Sequence, residues 1–218
     1  MVAERLGILG GTFDPVHLGH LHLAEAALAQ LELDRVLFIP AGAPWRKTAR
    51  EISPAQQRID MLKLAIGGIS AFEISTIETD REGPSYTVET LSELAGANPG
   101  ADLYLILGED ALTDLPNWHE PEEILEMAVV AVAPRTGRIP RDESWRTLRG
   151  VVKRTVWLDM KPLPASATEI RNRIRRGEPI SGVMPPAVEA YVRQHGLYRK
   201  GPPRKRGRKP RIPRPEGL

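Results

Sequence analysis

The 218-residue chain has no cysteine, which rules out disulfides, zinc–thiolate sites and cysteine nucleophiles and suits a reducing compartment. It has no long apolar run either. The longest, Met127 to Ala133, fits a buried strand and is far too short for a membrane span. The apolar stretch near the N-terminus is too short for the core of a secretory leader, so a cytoplasmic location is expected. Several catalytic signatures are also missing. There is no GxGxxG dinucleotide fingerprint, no GxxxxGK[ST] phosphate loop and no HExxH metal helix. A GxSxG nucleophile elbow is absent too.

What is present is unevenly charged. The formal net charge is +2, yet from Arg199 onward nine Lys/Arg face a single glutamate, Glu216. That tail therefore carries +8 and residues 1–198 carry −6. The acidic body and basic tail are different objects, and the high pI says little about the folded part. The tail is also rich in Pro and Gly and reads as a disordered extension. The division expected is a domain over 1–198 and a tail over 199–218.

Through the body, short apolar runs alternate with segments of helical spacing. Strands are expected at Arg5–Gly10, Val36–Ile39, Phe72–Ile77, Leu103–Leu107, Ala128–Val132 and Val151–Leu158. Helices are expected at Leu18–Leu31, at Ser53 (as N-cap) to Ile66, and at Tyr86–Ala95. Further helices are expected at Pro121–Met127, Thr168–Arg176 and Pro186–His195. Strands alternating with helices imply an α/β, Rossmann-like open sheet, mostly parallel, with helices on both faces.

In such sheets ligands bind beyond the carboxyl ends of the strands. The first strand ends in Gly10-Gly11-Thr12-Phe13-Asp14-Pro15-Val16-His17-Leu18-Gly19-His20. Glycines admit close backbone approach, and a helix start offers free amides to an anion. His17 and His20, three apart, share one face, whereas His22 lies about 200° around from His20 and reads as structural. The spacing alone fits either a phosphate cradle or a capped helix start with two surface histidines. A second segment, Ser166-Ala167-Thr168-Glu169-Ile170-Arg171, opens with a capping-box pattern. It is either a phosphate-binding helix start or a capped helix with a solvated basic face. Gly108-Glu109-Asp110 ends another strand and can admit a ribose or leave an acidic pair in solvent. Trp118 is a stacking surface or a core residue. Ser85, Tyr86 and Thr87 open a helix whose amides can receive a carboxylate. Arg135 is a phosphate ligand or a solvated loop residue.

The string GGTFDPVHLGH resembles the HxGH signature of the nucleotidyl-transferring α/β superfamily, and in its full form the nicotinate-nucleotide adenylyltransferase branch. Ala165–Arg171 is similar to the superfamily's second signature, ISSTxIR, with Ala165 and Ala167 as departures. The stretch Gly83–Leu91 looks like the branch's G-P-[ST]-Y-T-x-[DE]-T-L segment. The resemblance runs from Leu6 to about Tyr198. It implies that His17, His20 and Arg171 act on the phosphates as catalytic residues. Gly10, Gly11, Thr12, Phe13, Gly108, Asp110, Ser166 and Thr168 would hold ATP. Lys47, Ser85, Tyr86, Thr87, Trp118 and Arg135 would hold nicotinate mononucleotide.

The reaction implied is transfer of AMP from ATP to nicotinate mononucleotide by direct in-line attack, giving nicotinate adenine dinucleotide and pyrophosphate. No protein metal site is implied; Mg²⁺ would arrive on ATP. Two other readings remain at this point. One is a sister enzyme of the same fold, a pantetheine-phosphate adenylyltransferase or a cytidylyltransferase. The other is weak, salt-sensitive nucleic-acid binding by the tail. No membrane partner is expected, and the sequence carries no reading of oligomeric state.

Overall fold

The computed structural model describes residues 3–42, 52–134, 151–161 and 165–199. Six strands form a single sheet: β1 (Arg5–Gly11), β2 (Arg35–Pro40), β3 (Phe72–Ile74), β4 (Asp102–Gly108), β5 (Ala128–Ala133) and β6 (Thr155–Trp157). Their order is β3-β2-β1-β4-β5-β6, and each adjacent pair runs parallel. The helices are α1 (Leu18–Gln30), α2 (Ala55–Ile66), α3 (Thr87–Ala97), α4 (Glu109–Asp114), α5 (Pro121–Met127), α6 (Val151–Arg154), α7 (Ala167–Arg176) and α8 (Pro186–Gln194). The expected open α/β sheet is therefore the observed one.

A parallel sheet must bury both faces, and the strands alternate accordingly. Val36 and Phe38 of β2, with Tyr104 and Ile106 of β4, face a core built with α1, α2, α7 and α8. Leu37 and Ile39, with Leu103, Leu105 and Leu107, face the opposite core, built with α3, α4 and α5. The period of two in β4 sends successive side chains to opposite layers.

The sequence turns in one direction after β1 and in the other after β4, so the two strands flank the switch point of the sheet. Their pairing extends from Arg5↔Asp102 to Ile8↔Leu105. Beyond that rung Gly10–Gly11 and Leu107–Gly108 are not paired with each other, and a crevice opens between them.

Three local expectations need correction. Val151–Leu158 is not one strand: Val151–Arg154 closes a helical turn and only Thr155–Trp157 pairs, opposite Val130–Val132. The valines favour a strand, but with no rung opposite them the chain is free to turn. β3 stops at Ile74 rather than Ile77, because Thr76 draws the chain into a turn through its hydroxyl bond to Asp80 (2.6 Å). The helix expected to be capped by Ser53 has Pro54 at its N-cap instead. The Ser53 carbonyl is taken by Arg58.

Phe38, with no exposed surface, packs against Phe72 of β3 at 5.2 Å and Phe13 of the loop after β1 at 5.9 Å. Phe38→Ala should therefore cost about 3–5 kcal/mol, read as a lower denaturant midpoint.

Candidate active site

The loop from the end of β1 to the start of α1 is the shared wall of three cavities. The first, of about 480 Å³, reaches from Gly10–Thr12 to Ser85, Tyr86, Thr87 and Trp118. The second, of about 360 Å³, lies between Thr12–Asp14 and Thr168 and Arg171 of α7. A third, of about 390 Å³, runs from Gly10 past His17 and His20 to Gly108 and Asp110. His20 borders the second and third cavities, and Gly10 borders the first and third. Apart from the glycine and its two chain neighbours, no described atom lies within 4 Å of where a side chain would begin on Gly10 or Gly108. A side chain at either position would project into unfilled space.

The two histidines are built differently. His17 is the N-cap residue of α1 and only 7% exposed. Burial lowers its pKa to about 4, because a desolvated imidazolium is costly. Its Nδ1 is buried without a hydrogen-bond partner among the described residues. Its ring stacks on that of His20 at 3.7 Å between centroids. The Nδ1 of His20 accepts the His17 backbone N–H at 3.2 Å. That bond leaves Nε2 of a neutral His20 as the proton-bearing nitrogen. Gly19 makes the arrangement possible, since a β-carbon there would lie 3.0 Å from the His17 ring and 3.4 Å from the Ala165 carbonyl. His22, by contrast, is exposed and borders none of these cavities.

Ser166 is the N-cap of α7, accepting from the Glu169 N–H at 3.2 Å. Glu169 does not reach back to complete the box; its carboxylate pairs with Arg173 and Arg176. Arg171 is buried and turned onto the first loop, donating to the Asp14 carbonyl at 2.6 Å and to Thr168 Oγ1 at 3.0 Å. The two signatures, 157 residues apart, thus touch directly.

In the first cavity, Tyr86 caps α3, so the amides that follow it lie at that cavity's edge. The Tyr86 ring meets His119 at 4.4 Å, and the Trp118 indole N–H donates to Asp114 at 3.3 Å. Ser85 Oγ accepts the Gly42 N–H at 3.1 Å, tying this loop to the end of β2. Glu78, missed by the sequence reading, lines the same cavity and accepts from Thr90 at 3.0 Å. Burial raises its pKa.

All the sequence-predicted site residues that are described line one of the three cavities, except Ser166, which caps α7. Lys47, Arg135 and the tail from Lys200 onward lie outside the described residues. Asp14, Arg58 and Tyr198 were not picked out as functional. Tyr198 O–H donates to Asp14 Oδ1 at 2.7 Å across 184 residues, and burial beside that carboxylate raises its pKa. Nothing local in the sequence marks that contact. Arg58 could have been found: it shares the buried face of α2 with Leu62 and Ile66, an arginine at an apolar position. Among the described residues no cluster of three or more His, Asp or Glu is placed to hold a metal ion. No described helix is long and apolar enough to cross a membrane.

The profile of the cytidylyltransferase-like family matches residues 8–173. A probable nicotinate-nucleotide adenylyltransferase of Dehalococcoides mccartyi is 41% identical over 92% of this chain and 100% of its own length. One from Synechococcus sp. (strain JA-3-3Ab) is 45% identical over 89% of this chain and 95% of its own. The fold matches that of Plasmodium falciparum nicotinic acid mononucleotide adenylyltransferase complexed with NaAD. That match has a TM-score of 0.74 at 18% identity, over 89% of this chain and 97% of that one. Two phosphate-type signatures brought into contact at the switch point, together with this similarity along nearly the whole chain, show that it belongs to the cytidylyltransferase-like family and, within it, to the nicotinate-nucleotide adenylyltransferases.

Proposed function

We propose that this chain transfers the AMP moiety of ATP to nicotinate mononucleotide, forming nicotinate adenine dinucleotide and pyrophosphate, a step of NAD biosynthesis. The observation that carries the reading is that the first and third cavities share Gly10, Leu107 and Ala111 in their walls. Two nucleotide-sized spaces meet at a side-chain-free strand end, as a dinucleotide product requires. The third cavity, with Gly108 and Asp110, takes the adenosine half. The first takes the mononucleotide, its ring against Trp118 and its carboxylate at the amides opening α3.

The chemistry is a direct displacement. An oxygen of the acceptor phosphate bonds to the α-phosphorus of ATP while the bond to the bridging oxygen of the β-phosphate breaks. Pyrophosphate departs with that electron pair. Phosphate oxygens are already nucleophilic at neutral pH, so no general base is needed. The protein's task is alignment and charge stabilisation. His20 presents its Nε2–H to the phosphates, and His17, neutral at physiological pH, serves as a dipolar rather than a charged group. Arg171 and the first amides of α7 add positive potential from the second cavity. Mg²⁺ enters as part of the MgATP substrate, held mainly by phosphate oxygens and water. We assign catalysis to residues 1–198 and a cytoplasmic setting to a chain without cysteine.

Pyrophosphate release, measured with ATP and Mg²⁺, should be strong with nicotinate mononucleotide and weak with nicotinamide mononucleotide or phosphopantetheine. Turnover only with another acceptor would retain the ATP site and overturn the assignment of the first cavity. His20→Ala should lower kcat about ten- to a thousand-fold, as for loss of one oriented donor; a variant of unchanged rate would remove His20 from the mechanism.

The lowered pKa of His17 also makes a stability prediction. Between its value of about 4 in the folded protein and the ordinary 6.5, only the unfolded chain takes up this proton. The contribution is therefore complete above pH 6.5 and lost as pH falls toward 4, by about 3 kcal/mol. Denaturation curves across that range should show the loss in the wild type and a flatter pH dependence in His17→Asn.

A further inference from the structure

Arg58 is the one arginine of α2, and only 2% of its surface is exposed. It borders none of the three cavities, and the transfer chemistry does not use it. A guanidinium so deeply desolvated is expensive, and burial does lower its pKa, with Asp14 the foremost of the opposing charges. Its hydrogen bonds show what it holds: Nε donates to the Ser53 carbonyl and Nη1 to the Thr12 carbonyl, each at 3.0 Å.

Thr12 lies in the wall between the first and second cavities. In a trans peptide the C=O of one residue and the N–H of the next point in opposite directions. With the Thr12 carbonyl bonded to Arg58, the Phe13 N–H points away from that guanidinium, and Thr12 and Phe13 both line the second cavity. Phe13 itself is in the left-handed region, at φ 48°, an uncommon conformation for an aromatic residue that its surroundings must maintain. Its ring is buried against Phe38 at 5.9 Å and His20 at 4.9 Å. From the other side Arg171 holds the Asp14 carbonyl and Tyr198 the Asp14 carboxylate.

We infer that Arg58 is a positioning residue for adenylyl transfer: by holding the Thr12 carbonyl it aims the Phe13 amide at the phosphate being transferred. The inference rests on the proposed transferase reading. Lysine at this position keeps the charge but lacks the fork that spans two carbonyls. The loosened peptide would then cost the transition state, where charge on phosphate oxygens is greatest, more than it costs ground-state binding.

The test is steady-state kinetics of wild type and Arg58→Lys with MgATP and nicotinate mononucleotide, with folding checked by circular dichroism. A second measurement follows the ¹⁵N–¹H signal of the Phe13 amide in the wild type as MgATP is added without acceptor. A folded Arg58→Lys should lose about ten- to a hundred-fold in kcat with both KM values within about threefold. The Phe13 amide should move downfield on MgATP addition. Unchanged kcat in a folded variant, or a loss carried by KM alone, would overturn the inference. If Arg58→Lys does not fold, the amide decides: a downfield shift supports the inference and an unmoved signal overturns it. A wild type inactive with nicotinate mononucleotide would refute the transferase reading instead, and the amide would still report on the aim of the Thr12–Phe13 peptide.

Discussion

The carbonyls of Thr12 and Asp14 are each held by a buried guanidinium, Arg58 on one side and Arg171 on the other. Everything at the switch point depends on this clamp. Three cavities use the loop as a wall, and a turn containing a left-handed Phe13 has little intrinsic reason to keep one shape. Carbonyls bonded to charged donors are fixed more firmly than carbonyls bonded to water. The clamp also joins distant parts of the fold: α2 from one core, α7 from the second signature, and Tyr198 from beyond α8. A loop gripped from three directions can present amides and imidazoles at set positions without rearranging during the reaction.

The electrostatics follow from the same burial. Two polyanionic substrates call for positive charge, yet much of the described lining of the candidate site is neutral or dipolar. His17 is kept neutral by desolvation, and the helix starts of α3 and α7 contribute amides. Glu78, close to the proposed pyridine cavity, is pushed toward its neutral form. Among the described residues the one Lys or Arg lining these cavities is Arg171, which is hydrogen-bonded to the loop itself. Oriented dipoles in a water-poor cleft lose less to reorganisation than mobile surface charges do.

Much of the architecture was legible. Pro121–Met127 appears as expected, and the central strands differ by a residue at their ends, because long periodic apolar patterns report burial directly. The errors fall where local preference met a tertiary constraint. The valines at 151–152 look like strand, but the edge strand β6 pairs over only three rungs. Ser53 looks like a cap, but the helix starts one residue later, with Pro54 at its N-cap. The site was legible in its signatures, which are local strings. Its supports were not: Tyr198 reaches Asp14 across 184 residues, and no spacing rule connects them.

By itself the sequence determined the alternation that makes a parallel sheet, the glycine-ended strands that border the cavities, and the family to which its two signatures belong. Each of these is written in neighbouring residues. Tertiary structure alone decided that the signatures touch, that His17 is buried while His22 faces solvent, and that a buried arginine of α2 donates to a carbonyl 46 residues away. These depend on desolvation and on hydrogen bonds between segments remote in the chain. Both are properties of how the layers pack, and no single segment contains them.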